Sequence, residues 1–277
     1  MSGPGRLVLV GTPIGNLGDL SPRAVEALAG ADVLCCEDTR HTRKLLTHAG
    51  LHLTRVVSLH DHNEAAQAGQ VLKWLDDGQT VALVSDAGMP GIADPGERVV
   101  ATAAAAGHRV DVVPGPSAVV AALVVSGLPT GRFVFEGFLP RKGTDRAERL
   151  AGVAAEQRTV VLFEAPHRLA ATMADLAGVC GPLRAVAVVR EVTKLHEEVW
   201  RGPLGAAVER ASEVEPRGEH VIVLAGALAA RPASDAEIGE ALAAAVAAGA
   251  SRRDAVAEVA DALGVGRRRV YQLALNG

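Results

Sequence analysis

The stretch Val84-Ser85-Asp86-Ala87-Gly88-Met89-Pro90-Gly91-Ile92-Ala93-Asp94-Pro95-Gly96 sets three glycines, two prolines and two carboxylates directly after an apolar run. Glycine lets a ligand approach the main chain and proline holds the turn rigid, so this pattern predicts a preorganised binding loop. It is also longer than the roughly 4–6 residues of an ordinary connection. Pro114-Gly115-Pro116-Ser117-Ala118 places Ser117 at the start of an apolar helix. Free N–H groups and the helix dipole there favour a carboxylate or phosphate, although a plain N-cap has the same pattern. Glu37-Asp38-Thr39-Arg40 joins two carboxylates to a cation and could hold a phosphate and a hydroxyl together. The same four residues also suit an ordinary helix start, where carboxylates complement the dipole. His60-Asp61-His62-Asn63-Glu64 brings imidazoles and carboxylates together, but its ligand set is incomplete and no metal is expected.

These residues need a frame, and the chain supplies it by alternation. Leu7–Val10, Asp32–Cys36, Arg55–His60, Thr80–Val84 and Arg109–Val113 read as buried strands. Helices follow them: one capped by Ser21 with Pro22 at its first position, then Thr42–His48, Asn63–Asp76 and Glu97–Ala106. Such alternation predicts a mainly parallel α/β sheet, with ligands at the carboxyl ends of its strands, where every Gly/Pro-rich loop falls. An apolar helix Val119–Ser126 leads to a second set of strands at Arg132–Phe138, Arg158–Phe163, Arg184–Arg190, Glu197–Arg201 and His220–Ala225. With helices at Thr144–Ala155, Pro166–Ala177 and Pro203–Ala211, some of these strands follow one another directly, which predicts a mixed sheet. After a linker at Ala229–Ser234, Ser251 caps a helix with Ala255, Val256, Val259, Ala260 and Leu263 facing inward. Gly264-Val265-Gly266 then turns into Arg267–Leu275, a helix-turn-helix outline. The expected domains are 1–116, 117–229 and 230–277.

Composition narrows the function. At 277 residues, 49% hydrophobic and 22% charged, the chain is globular and large enough for two cores. No uncharged apolar run reaches a membrane span and the N-terminus lacks a signal-peptide core, so a cytoplasmic protein is expected. The three cysteines match neither a disulfide framework nor a metal site. Aromatics make up only 3%, so any nucleic-acid contact is expected to be mainly polar. A net charge of −4 excludes indiscriminate nucleic-acid binding but permits a local basic face. Such clusters occur at Arg40, Arg43 and Lys44; at Arg141, Lys142, Arg146 and Arg149; at Arg252 and Arg253; and at Arg267, Arg268 and Arg269. Arg146 and Arg149 could instead pair with Asp145 and Glu148.

No dinucleotide fingerprint or P-loop follows the first strand. Instead, Leu9-Val10-Gly11-Thr12-Pro13-Ile14-Gly15-Asn16-Leu17, Glu37-Asp38-Thr39-Arg40, the Ser85–Gly96 loop and Pro114–Ala118 resemble the tetrapyrrole methylase family. Phe135-Glu136-Gly137-Phe138-Leu139-Pro140-Arg141-Lys142 and Phe163-Glu164-Ala165-Pro166-His167-Arg168-Leu169 extend the likeness, over nearly the whole chain, to its ribosomal RNA-modifying branch. Met89 stands where that branch usually has Thr.

The resemblance implies a homodimer that folds S-adenosylmethionine between two sheets, largely through main-chain groups. It implies 2′-O-methylation of a cytidine ribose in the decoding region of 16S rRNA, on the 30S subunit. By motif position, Pro13, Asp86, Ala87, Gly88, Met89, Ile92, Ser117 and Ala118 would line the cofactor site from the first domain, and Ala165 and Leu224 from the second. A ribose hydroxyl is a poor nucleophile, so a carboxylate that aligns it or draws off its proton is expected, with Glu37, Asp38 and Arg40 as candidates. Arg40, Arg43, Arg141, Lys142, Arg252, Arg253, Arg267, Arg268 and Arg269 would contact RNA. Two other readings stay open: a tetrapyrrole C-methyltransferase of the same fold, and a non-catalytic RNA-binding assembly factor.

Overall fold

The computed structural model describes residues 5–60, 62–213, 217–228 and 233–276. The chain forms two compact units, Met1–Ala227 and Leu228–Gly277. In the first, β1 (Arg6–Val10), β2 (Val33–Cys36), β3 (Val56–Ser58), β4 (Thr80–Leu83) and β5 (Arg109–Val113) form a sheet of order β3-β2-β4-β1-β5. All its pairings are parallel, as the alternation predicts. Strands buried on both faces explain the unbroken apolar runs. On one face Leu7, Val33, Cys35, Val81 and Leu83 pack against α3 (Glu64–Asp76) and α4 (Glu97–Ala105). On the other, Val8, Leu34, Cys36 and Ala82 pack against α1 (Pro22–Ala29) and α2 (Thr39–His48). Cys35 and Cys36 thus fill opposite cores, and burial pushes the Cys35 thiol up to about 12.

Local chemistry marks most helix starts. Ser21 Oγ accepts from Ala24 N–H at 3.1 Å, with Pro22 at the first position. α2 begins three residues earlier than the apolar periodicity predicts, because Asp38 caps it through Arg40 N–H at 2.8 Å.

The second sheet contains β6 (Phe133–Phe138), β7 (Thr159–Glu164), β8 (Ala185–Arg190), β9 (Glu198–Pro203) and β10 (His220–Leu224), in the order β6-β7-β10-β8-β9. β6 pairs with β7 in parallel, while β10 runs antiparallel to both β7 and β8, giving the expected mixed sheet. One face packs on α6 (Thr144–Ala155), α7 (Leu169–Cys180) and α8 (Leu204–Glu213). A single 3₁₀ turn at Pro166–Arg168 precedes α7, where one continuous helix was expected. The other face is covered by α5 (Ala118–Val125), through Val119, Ala122 and Leu123.

The second unit holds α9 (Asp235–Ala247), α10 (Arg252–Leu263) and α11 (Arg267–Asn276). A capping box between Ser234 and Glu237 starts α9, Ser251 caps α10, and Gly264 closes α10 in the left-handed region. Ala255, Val256, Val259 and Ala260 are buried with Val270, but Leu263 is 37% exposed rather than inward, since it ends the helix beside the turn. Residues 229–232 of the expected linker, and Asp61, lie outside the described residues. Among the described residues no helix is long and apolar enough to cross a membrane.

Candidate functional site

Three loops leave the carboxyl ends of the first sheet and are knitted backbone to backbone. Gly11 N–H donates to Val113 O at 2.9 Å, and Thr12 and Gly88 exchange two main-chain hydrogen bonds. Thr12 Oγ1 lies 3.3 Å from Ser85 O. A Cβ on Gly11 would lie 2.5 Å from Gly115 N and 2.7 Å from Met89 Sδ, so only glycine permits this approach. Gly88, buried at φ +81°, makes the tight turn that holds this loop against Thr12. Asp86 Oδ1 accepts from Asp38 N–H at 3.1 Å, tying in the loop after β2.

Between these loops and the second sheet, both within Met1–Ala227, lies a cleft of about 410 Å³. Asp86, Ala87, Gly88, Met89, Ile92, Ser117, Ala118 and Ala165 all line it. Pro13 does not; it is buried, and its neighbour Ile14 takes the place expected of it. Leu224 does not either. It is fully buried in the core beneath α6, α7 and α8. Because β10 runs antiparallel to its neighbours, its first residue, His220, pairs with Glu164 and Arg190 at the cleft end of the sheet. Leu224 pairs with Val160 and Val186 at the opposite end, about 13 Å away at roughly 3.3 Å per residue. His220 and Val221 line the cleft in its place.

Of the three expected catalytic residues, only Glu37 lines the cleft. Asp38 Oδ2 accepts from Arg40 Nη2 at 2.7 Å and Asp38 Oδ1 from Arg40 Nε at 3.2 Å. The Arg40 guanidinium beside it holds the Asp38 carboxyl well below the usual carboxylate range. Arg40 is 86% exposed on that pair. For these two residues the geometry is a helix start: Asp38 caps α2 and pairs with Arg40, and neither is among the residues lining the cleft. Asp94, Glu164 and Glu219 also line the cleft, with Phe138, Phe163, Val189 and Val192. Asp94 belongs to the predicted binding loop; sequence reasoning assigned none of the others, although the rule that ligands sit at the carboxyl ends of strands points to Phe138, Phe163 and Glu164.

Glu164 closes β7 with its side chain 1% exposed. Its Oε1 accepts from Ala165 N–H at 2.9 Å and faces Arg168 Nε at 3.2 Å, while Oε2 accepts from Thr172 Oγ1 at 2.6 Å. Arg168 Nη2 donates on to Leu139 O at 2.7 Å, and Arg146 donates to Thr172 Oγ1 and Pro140 O. Asp175 is the ion-pair partner of Arg146, and Glu136 that of Arg149, in place of the expected Asp145 and Glu148.

His220 is 5% exposed, and its Nδ1 has no hydrogen-bond partner among the described residues. Burial, with the positive charge of Arg190, pulls its pKa below the ordinary 6.5. The folded state therefore takes up this proton less readily than the unfolded chain. The contribution of neutral His220 is full above about pH 6.5 and declines as pH falls from there toward the lowered value. Thermal melts at pH 7.5 and 5.5 should show a smaller acid loss for His220→Met than for the natural chain; equal losses would remove His220 from that dependence.

Arg43 lines a separate depression with Leu46 and His52, and Arg141 and Lys142 are exposed just beyond Pro140. The five arginines of α10 and α11 are all exposed. Arg267 faces Asp261 at 3.4 Å and Arg269 pairs with Asp235 at 2.6 Å. No ion pair among the described residues involves Arg252, Arg253 or Arg268. Nor do the described residues include a group of three His, Cys, Asp or Glu side chains able to hold a metal; in the His60–Glu64 segment, Asn63 Oδ1 accepts from His60 N–H and Glu64 caps α4.

A family model described as Tetrapyrrole (Corrin/Porphyrin) Methylases matches residues 6–208. The chain is 47% identical to a ribosomal RNA small subunit methyltransferase I from Synechocystis sp., over 98% of each chain. It is 51% identical to one from Xylella fastidiosa, over 82% of this chain and 84% of that one. A uroporphyrin-III C-methyl transferase from Thermus thermophilus, solved in complex with S-adenyl homocysteine, shares the fold. Its TM-score is 0.55 at 20% identity, covering 80% of this chain and 97% of that one. The mixed second sheet, the glycine-knitted loops and the family match agree: the chain belongs to the tetrapyrrole (corrin/porphyrin) methylases.

Proposed function

We propose that this chain is an S-adenosylmethionine-dependent methyltransferase of 16S rRNA that methylates the 2′-hydroxyl of a cytidine in the decoding region of the 30S subunit. The observation that carries this reading is its near full-length similarity to the Synechocystis ribosomal RNA small subunit methyltransferase I. The cleft fits the methyl donor: its volume of about 410 Å³ lies in the range of small-molecule sites, and its lining combines apolar side chains such as Ile14, Met89 and Ile92 with polar ones such as Asp86 and Ser117. Asp86, Ala87, Gly88, Met89, Ile92, Ser117, Ala118 and Ala165 would hold it. When bound, the donor supplies an electrophilic methyl on sulfur. The protein's own task is to place a ribose hydroxyl in line with that methyl and to take or orient its proton as the new bond forms. Glu37, which lines the cleft, is positioned for that task; Asp38 and Arg40 hold the start of α2. A tetrapyrrole substrate is the second reading, since the Thermus relative acts on one. The loop Asp86-Ala87-Gly88-Met89-Pro90 lacks the Gly-Gly-Asp-Pro usual in that branch, and arginines on the three-helix unit suit a polyanionic RNA better.

Arg252, Arg253, Arg267, Arg268 and Arg269, with Arg43, Arg141 and Lys142, are proposed to contact RNA phosphates. These position the substrate rather than select its sequence, so one nucleotide would be chosen by the shape of the assembled particle. A homodimer is proposed on the exposed valines Val120 and Val124 of α5. The deciding assay offers methyl-labelled donor with unmodified 30S subunits, naked 16S rRNA or uroporphyrinogen. Ribose label on one cytidine of 30S subunits is expected. Glu37→Gln should lower kcat by roughly 10²-fold or more, the scale of general acid–base catalysis, while Asp38→Asn keeps turnover within a few-fold. Label on uroporphyrinogen alone would replace this reading with the tetrapyrrole one, and donor binding without label anywhere would favour a non-catalytic assembly factor.

A further inference from the structure

The register of β6 against β7 shifts between Phe135 and Gly137, and Gly137 sits at φ +62°. Such a bulge re-aims the side chains beyond it. Val134 packs on the core under α6 and α7, and Phe135 on the opposite face of the sheet. Regular alternation would send Phe138 to the side of Val134. The extra residue reverses this: the Phe135 and Phe138 rings both meet Phe163, at centroid distances of 4.9 and 5.6 Å, and Phe138 lines the cleft with 51% of its surface exposed.

The protein holds this conformation firmly. Arg149 from α6 donates to Glu136 O at 2.8 Å and pairs with its carboxylate, fixing the bulged residue. Arg168 and Arg146 bond the carbonyls of Leu139 and Pro140 directly after it. A large apolar ring held half in solvent at the mouth of a cleft loses surface burial, so its placement points to a ligand that covers it. Three and four residues beyond Phe138 come the exposed cations Arg141 and Lys142.

Resting on the rRNA reading above, we infer that Phe138 is a base-stacking residue: its ring takes the face of an unpaired nucleobase drawn out of the RNA, while Arg141 and Lys142 hold the adjoining phosphates. Aromatic rings stack any base, and a nucleotide must leave its helix for a buried site to reach its ribose. Scarce aromatics predict polar contacts in general; the bulge brings one of the chain's four phenylalanines to the place where a stack counts.

The test compares natural protein with Phe138→Ala, Phe138→Leu and Phe138→Trp, using unmethylated 30S subunits and, separately, titration with S-adenosylhomocysteine. Loss of one base–aromatic stack predicts a fall of roughly 10- to 100-fold in kcat/KM for 30S subunits in the Ala and Leu variants. Donor-site affinity should stay within about twofold, and Phe138→Trp should restore most of the activity. Leu keeps apolar bulk but has no π face, so this comparison stands even if Ala loosens the Phe135–Phe163 cluster. Full activity in the Leu variant, no recovery in Trp, or a matching loss of S-adenosylhomocysteine affinity would each overturn the assignment. Natural protein that leaves 30S subunits unlabelled would instead defeat the parent reading, a result visible before any variant is made.

Discussion

Gly11→Ala is expected to lower methyl transfer at least about 100-fold and to weaken S-adenosylhomocysteine binding, although it adds a single methyl group. The new Cβ would meet Gly115 N at 2.5 Å and Gly115 Cα at 2.6 Å, both main-chain atoms that cannot rotate aside. The Gly11 and Pro114–Ser117 loops must part, and Met89 Sδ, 2.7 Å from the same position, must move with them. Overpacking of this kind costs about 1–3 kcal/mol in stability. The larger effect falls on catalysis, because a displacement near 1 Å in a positioned site can cost about 10²-fold. Gly69→Ala is the matched control: it lies inside α3 with nothing within 4 Å of the added Cβ, and alanine there should stabilise by about 0.5–1 kcal/mol. Calorimetric titration and turnover of both variants decide the matter. A Gly11→Ala protein that binds and turns over normally would mean that the loop contact does not shape the site.

Glu164→Ala should produce the largest loss of stability, about 3–5 kcal/mol, because removing one member of a buried ion pair strands the other. The Glu164 carboxylate accepts from Ala165 N–H and Thr172 Oγ1 and faces Arg168, whose side chain is 19% exposed. Without it, the Arg168 charge stays in a poorly solvated place and its hold on Leu139 O is weakened. For a unit of this size the loss corresponds to a fall of roughly 6–20 °C in Tm. Thermal or urea unfolding would measure it. A double-mutant cycle with Arg168→Met should recover part of the loss, since the second change removes the stranded charge. A cost below about 1 kcal/mol for Glu164→Ala would mean that solvent reaches the pair and screens it.

Most elements of the fold were legible because their causes are local. The apolar runs of β1 and β2, the Ser21, Ser117 and Ser251 caps and the turn at Gly264 each depend on residues within one turn of one another. The binding loops were legible for a related reason. Glycine and proline restrict or free the backbone at their own positions, so the Ser85–Gly96 segment could be read as a binding loop before the strands were assembled, whereas Ser117 and Ala118 were joined to it by the family resemblance. Glu37 and Asp38 mark the limit of such reasoning. They are adjacent and chemically alike, yet one lines the cleft and the other caps α2.

The sequence by itself determined the α/β alternation, the starts of most helices in the two sheet layers, and the Gly/Pro-rich loop a ligand could approach. Only the tertiary structure decided where individual side chains point. The antiparallel course of β10 carries Leu224 to the far end of its sheet and sets His220 at the cleft; the pairing of β6 with β7 turns Phe138 out of the core; the packing of α6 and α7 turns Arg146 and Arg149 from a prospective RNA face into supports for Glu136 and Pro140. The physical reason is common to all three. A helix cap or a turn is settled by neighbours in the chain, whereas strand direction and register are settled by partners tens of residues away, and reversing a strand or inserting one residue redirects every side chain beyond it.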